Sequence, residues 1–410
     1  MATIATPAPR AVPRTAREMG IMQGFPPPPE KRPTVENWDL PPFNRWSFQN
    51  MRSLFPTADV RRAGPVAELA RDIQPLEGVG YSGDDGTHRS VAEGLALTYA
   101  DACLIMHRGR VVTERYFNDM QPHSPHLSQS VAKSVVGALA GVLHHEGLLD
   151  LGAPLPEIVP ELAQCGYATA TLEQVLDMQS GVRFTEDYNT PGSDMTRIDI
   201  ASGWRPPLPG EPVPTIRDVI LSLPQERPHG ESFSYRSIET DVVAWAIERV
   251  TGMPLAEALS DRIWSRIGAE RDGFFTVDGA GTALADGGFN ATLRDYARFG
   301  QMMLEGGRAQ GAQVVPEAWV ESCRSGENAK FGPPYSHRFP NGAYRRQWWV
   351  RDVGRGDFMA RGVFGQLIYV DPEAEFMAVV LATWPDYLID SFSAETLAAL
   401  FAVREALAGG

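Results

Sequence analysis

Lysine is nearly missing from this chain: of 37 basic residues only Lys31, Lys133 and Lys330 are lysines, and the rest are arginine. Cysteine is as scarce, and Cys103, Cys165 and Cys323 stand far apart. Their odd number and wide spacing argue against a disulfide framework or a paired metal knuckle, and they fit a reducing cytoplasm. No run of about 18 apolar residues occurs, so no membrane-spanning helix is expected. The first twenty residues have no apolar segment behind a basic start, so no secretory signal is expected either. They carry arginine without an acidic residue before Glu18, as transit peptides do, but their proline content fits a flexible arm better. Positive charge is also lacking. The formal net charge is −14, which argues against a nucleic-acid surface. The eight histidines, His144-His145 included, show no ligand spacing with a third partner, so neither a metal nor an organic cofactor is expected. That pair is expected to close a helix, where a cation suits the dipole.

What is present is an ordinary globular composition, 43% hydrophobic and 21% charged, over 410 residues. Such a length allows one large domain or two. Residues 1–45 read as a proline-rich arm extended over the surface, with Trp38 and Phe43 too apolar to stay free. Residues 46–410 read as one body. Ala102–Met106 with Val111–Phe117, and Gly365–Val370 with Phe376–Thr383, have the pattern of two hairpins. Between them helices are expected over Val131–Leu143, Val242–Val250, Leu255–Ile267 and Leu293–Glu305, and a last one over Ala394–Ala406. The implied architecture is α+β: an antiparallel sheet from both chain ends (about 46–125 and 340–410) with a helical region (about 126–339) inserted between them.

The stretch Leu127-Ser-Gln-Ser-Val-Ala-Lys puts Ser130 and Lys133 one turn apart at a helix start, so hydroxyl and amine share a face. A serine hydroxyl needs a neighbouring base to become a nucleophile. Lysine serves once burial draws its pKa towards neutrality, whereas arginine stays charged. The helix start also offers free N–H groups to a developing oxyanion. Chance alone gives three lysines about a one-in-six prospect of such a spacing when serine is near ~6% of residues. A core lysine snorkelling to the surface is the structural alternative. Tyr235-Arg-Ser237, before the next long helix, offers a phenol to share the proton and a second hydroxyl, although such a tyrosine is commonly a packed aromatic. Ala360-Arg-Gly-Val-Phe-Gly-Gln366 leads into a strand, where glycines let a ligand near the backbone and the Val363 amide faces Ser130 as a second oxyanion donor.

Together these elements resemble the penicillin-recognising serine hydrolases: class C β-lactamases, D-Ala-D-Ala carboxypeptidases and related esterases and amidases. Gly147-Leu-Leu-Asp-Leu, Val175-Leu-Asp-Met-Gln-Ser-Gly-Val and Gly365-Gln-Leu-Ile-Tyr-Val-Asp-Pro extend the likeness over residues 95–385. Asn37-Trp38, Asn44-Arg-Trp-Ser-Phe, and Tyr188 after Phe184 are similar to the 6-aminohexanoate-dimer (nylon oligomer) hydrolases. The resemblance implies a β-lactamase/penicillin-binding-like fold and an acyl-enzyme on Ser130, with Lys133 and Tyr235 moving protons. It implies a cleft shaped by Tyr188, Asp199, Trp204, Ser237, Asn290 and Gly362, with Asp199 positioned for a substrate ammonium. It also suggests a homodimer. The substrate class so implied is a small linear amide, such as a 6-aminohexanoate oligomer, with ester hydrolysis alongside. A plain carboxylesterase and a non-catalytic relative are the alternatives. The sequence departs from the wider pattern in Ser237, where asparagine is usual, and in Ala360-Arg361-Gly362, where Lys-Thr-Gly or His-x-Gly is common. If Ala360 points inward, Arg361 points away and the cleft has no cation for a β-lactam carboxylate, which counts against β-lactamase activity.

Overall fold

The computed structural model describes residues 11–83 and 85–409; the first ten residues of the expected arm lie outside them. Strands from the two chain ends meet in one seven-stranded antiparallel sheet, in the order Ala343–Arg345, Trp348–Asp352, Asp357–Gly362, Gln366–Asp371, Phe376–Ala382, Ala100–His107 and Arg110–Tyr116. The join is the pairing of Phe376–Ala382 with Ala100–His107, with Val380 opposite Cys103. Both faces are covered, and so the strands read as continuous apolar runs. Alternate residues serve opposite layers. Leu104, Phe358, Ala360 and Ile368 pack with Val135 and Leu139 of the helix Val131–His145. Cys103, Met359 and Tyr369 pack with Ala399, Leu400 and Val403 of the helix Asp390–Ala408.

The expected hairpins and helices are present with ends moved by a few residues. Leu255–Ile267 is an exception: an α-helix over Leu255–Leu259 passes into a π-type turn over Ser260–Trp264. The segment between the hairpins also carries strands. Gly273–Thr276 and Phe289–Thr292 join Thr57–Val60 and Pro125–Leu127 in a four-stranded sheet. Three- and four-residue strands carry too little alternation to be seen in sequence. The pairing of Leu127 with Asn290 aims the chain into the helix that starts at Val131. That helix is buried at every position from Val131 to Leu143. A Cβ on Gly137 would lie 2.6 Å from the Arg346 carbonyl oxygen, so the glycine sets how closely the helix seats.

The arm folds onto the body instead of running extended. Trp38 is buried against Phe48, Phe55 and Trp204, and its Nε1 donates to the Trp204 carbonyl at 2.9 Å. Arg45 enters the interior, where Nη1 donates to Asp101 Oδ1 at 2.9 Å and Thr383 Oγ1 at 3.0 Å, while His126 Nε2 lies 3.0 Å from Asp101 Oδ2. Among the described residues no helix is long and apolar enough to cross a membrane.

The Asp101 carboxylate thus fastens the arm, the sheet and the strand before Ser130 in a site without solvent. Asp101→Ala leaves the Arg45 guanidinium buried and unpaired, and removal of one partner of a buried pair costs about 3–5 kcal/mol. The expected outcome is a clearly lowered thermal midpoint by calorimetry. A midpoint equal to wild type would show that the network does not hold the arm.

Candidate active site

Ser130 sits at the N-cap of the helix Val131–His145 but does not act as a cap: its backbone is in the right-handed helical region and its hydroxyl takes no helix N–H. The hydroxyl oxygen accepts instead from Lys133 Nζ at 2.9 Å. The same ammonium donates to the Asp286 carbonyl at 2.6 Å, and Lys133 is only 1% exposed. The expected meeting of hydroxyl and amine on one helix face is therefore present.

The amine's protonation departs from expectation. Burial pulls the Lys133 pKa down, but Tyr235, Asp286, Glu186 and Asp241 together outweigh it, and the net shift is upward. A neutral amine was expected from an apolar helix. Tyr235, and carboxylates brought in from segments distant in sequence, hold it protonated instead. These acids feel burial too: Asp286 is pushed up to about 6 and Asp241 well above the ordinary carboxylate range, despite the opposing pull of Lys133. The Tyr235 phenol is raised by burial, while Lys133 nearby and hydrogen bonding with Ser130 and Lys133 favour its ionised form. Lys133 Nζ stands 5.4 Å from the centroid of the Tyr235 ring. That ring stacks on Trp349 at 5.3 Å.

Two residues with free backbone amides, Ser130 and Val363, line the same two hollows. Neither Ser130 N–H nor Val363 N–H has a protein acceptor among the described residues. Each adjoins a non-glycine residue in the left-handed region, Gln129 (φ 47°) and Phe364 (φ 60°). Such conformations persist only where tertiary contacts over-determine them. Here Ser128 N–H donates to the Phe289 carbonyl and Phe364 N–H to that of Tyr387. Gly362 admits no side chain, since a Cβ would lie 2.7 Å from the Ser128 carbonyl oxygen.

Two hollows open beside Ser130. The larger, about 390 Å³, is mainly apolar and runs past Tyr235, Trp349, Gly362 and Val363 to the first turns of the helix Asp390–Ala408. The smaller, about 20 Å³, has room for one ammonium-sized group between Asp199, Trp204, Asp286 and Trp38. Tyr188 and Val363 border both. Burial pushes the Asp199 carboxyl up to about 8 against the pull of Arg205, whose Nε lies 3.8 Å away. Arg205 is itself engaged by Asp39 and Tyr387.

Of the residues expected around the cleft, Tyr188, Asp199, Trp204, Ser237 and Gly362 line one hollow or the other. Asn290 lines neither. It lies in the strand Phe289–Thr292 with 0% exposure and donates to the Gly288 carbonyl at 2.9 Å. The hydroxyl of Ser237 is spent on Glu186, to which it donates at 2.5 Å. Arg361 does not point away. Strand alternation puts it opposite Ala360 as expected, but the larger hollow wraps the sheet's end and takes in that face. Glu186, Asp286 and Asp39 were not anticipated: as loop carboxylates they are indistinguishable in sequence from solvated ones. Glu186 also accepts from Tyr188 Oη at 2.6 Å and Ser237 N–H at 2.8 Å, fixing both beside Tyr235. No group of three potential metal ligands gathers among the described residues.

Comparison with known proteins bears on the family and the fold. The Beta-lactamase family model matches residues 92–402. A 6-aminohexanoate-dimer hydrolase from Paenarthrobacter ureafaciens is 39% identical over 356 residues, 86% of this chain and 89% of that relative. A solved structure from Bacillus anthracis, described as a candidate 6-aminohexanoate-dimer hydrolase, superposes with a TM-score of 0.86 at 30% identity, covering 93% of this chain and 99% of the other. A family VIII carboxylesterase structure shares the fold at a TM-score of 0.56 and 14% identity, over 82% of this chain and 100% of the other. The chain belongs to the beta-lactamase family and is a hydrolase of that fold.

Proposed function

We propose that the protein cleaves short linear amides through an acyl-enzyme on Ser130, 6-aminohexanoate oligomers being the substrate class, and hydrolyses carboxylic esters by the same route. The observation that carries this is the 2.9 Å contact between Lys133 Nζ, a side chain shielded from solvent, and Ser130 Oγ at the head of the two hollows. Tyr235, as phenolate beside the Lys133 ammonium, takes the hydroxyl proton as Ser130 Oγ bonds to the acyl carbon. The oxygen's developing charge falls to the Ser130 and Val363 amides. The C–N or C–O bond then breaks, and the proton passes from the Lys133–Tyr235 pair to the leaving nitrogen or oxygen. Water, deprotonated by the same pair, releases the acid and restores the hydroxyl. Asp199 receives the ammonium of the acyl half, which favours its ionised form. The 39% identity to a 6-aminohexanoate-dimer hydrolase supports the substrate class.

A fluorophosphonate probe tests the nucleophile directly. Wild type is expected to form one adduct, mapped to Ser130 by mass spectrometry and lost in Ser130→Ala, and to cleave the 6-aminohexanoate dimer. Turnover of short esters without any amide cleavage would leave a plain carboxylesterase, and a folded, unlabelled protein a non-catalytic relative.

Lys133→Arg keeps the charge but cannot relay a proton. Positioned acid–base groups contribute about 10²–10⁴-fold, and kcat for a p-nitrophenyl ester is expected to fall by that order. A wild-type rate in this variant rejects the assignment.

The upward shifts of Lys133 and Tyr235 set the sign of the pH dependence. At neutral pH the pair holds both protons, and loss of one creates the base, so activity grows as pH climbs towards the raised pKa. The kcat/KM for a neutral ester is expected to rise about tenfold per pH unit through the neutral range. A plateau already reached by pH 6 contradicts a resting pair that holds both protons.

A further inference from the structure

The wall of the larger hollow holds a cation with no acidic partner. Arg361 lies at the end of the strand Asp357–Gly362, one residue before the glycine that packs on the Ser130 segment. Its guanidinium is sandwiched by rings, 5.2 Å from the Phe339 centroid and 5.5 Å from that of Trp349. Its one side-chain hydrogen bond among the described residues is Nη2 donating to Ser393 Oγ at 3.0 Å. A guanidinium carries five N–H donors, so most of this fork is uncommitted. No carboxylate among the described residues lies within ion-pair distance of it. The nearby acid, Asp390, is 87% exposed and pairs at 2.7 Å with Arg338, the other arginine of this wall. Burial and Arg338 push Arg361 down to about 10, so it stays charged at neutral pH and gains from an incoming anion. The rest of the lining, Tyr335, Phe339, Trp349, Trp384, Leu388 and Leu397, is largely apolar.

An apolar hollow of about 390 Å³ that begins at a reactive serine and carries an uncommitted guanidinium describes its guest. The guest is a chain of methylenes ended by a planar anion, which a guanidinium binds bidentately. We propose that Arg361 is a specificity-determining residue that binds the free carboxylate of the substrate's leaving half. This rests on the function proposed above in one respect, that the scissile carbonyl lies at Ser130. With the ammonium of an amino-acid dimer at Asp199 on the acyl side, the carboxylate falls on the leaving side, in the larger hollow. The two ends of a zwitterionic dimer would then meet opposite charges on either side of the nucleophile.

The test uses esters, so that it does not depend on amide cleavage. The butyrate ester of 6-hydroxyhexanoate carries the carboxylate in its leaving group, and the butyrate ester of methyl 6-hydroxyhexanoate does not. Wild type is expected to prefer the first by tenfold or more in kcat/KM. Arg361→Gln is expected to lower turnover of the first by about 10- to 100-fold, as loss of a charge-assisted pair does. Turnover of the second should fall by no more than about threefold, and Arg361→Lys should recover part of the preference. Equal losses on both esters, or an unchanged preference in Arg361→Gln, overturn the proposal. Calorimetric binding of 6-hydroxyhexanoate to Ser130→Ala, with and without Arg361→Gln, asks the same without chemistry: a tenfold or larger loss supports the site, and equal affinity overturns it. Should no ester or amide be turned over at all, the proposed function fails while this binding comparison still decides the role of Arg361.

Discussion

A lysine ammonium shut away from water must find negative charge, and most of the site's anatomy follows from that requirement. Moving an unpaired cation into a protein interior is far more costly than leaving it hydrated. At Lys133 the cost is offset by the Ser130 hydroxyl, the Asp286 carbonyl and the acids Asp286, Glu186 and Asp241. Those acids are unfavourable where they stand without the lysine. Asp241 reaches the Ala285 N–H at 2.9 Å with one oxygen and leaves the other unpartnered. The ammonium and its acids are therefore one electrostatic unit, assembled from two helices and two loops that are far apart in sequence.

That unit would be idle without a rigid backbone around it. Gln129 and Phe364 are held in left-handed conformations beside Ser130 and Val363, with backbone hydrogen bonds to distant segments at Ser128 and Phe364. The ties run outward: Ser128 to the small sheet, and Phe364 to the loop at Tyr387, whose hydroxyl donates to Asp39 of the arm. Asp39 in turn accepts from both terminal guanidinium nitrogens of Arg205, Nη1 and Nη2. The arm therefore does more than cover apolar surface. By occupying Arg205 it keeps that cation from closing fully on Asp199.

What sequence reveals about such a site divides along physical lines. Ser130 and Lys133 were legible because a helix makes neighbours of residues three apart. Tyr235 lies about a hundred residues away; its place before a helix made it a candidate to share the proton, but a packed aromatic fits that place as well, and the resemblance to a family was needed to give it a role. The fold class followed from the two hairpins and the apolar periodicity between them. Glu186, Asp286 and Asp39 stayed hidden because burial, not composition, separates them from surface carboxylates. Asn290 was misplaced for the complementary reason: an asparagine between glycine and threonine looks like a turn, yet the strand Phe289–Thr292 pairs on both edges and buries it. Arg361 was assigned to the right face of its strand and still to the wrong environment. Alternation fixes a face, but not how far a cavity wraps past the end of a sheet.

The same burial that lets its neighbours' charges act so strongly on the lysine strengthens everything else in the cleft. In a low-dielectric wall one guanidinium discriminates between a charged and a neutral chain end far better than it could in water. Arg361 is also not isolated from the chemistry. It packs on Trp349 at 5.5 Å, and Trp349 stacks on Tyr235 at 5.3 Å with an angle of 25° between their rings. An anion seated on the guanidinium therefore bears on a column of three planar groups whose last member is the phenol beside Ser130.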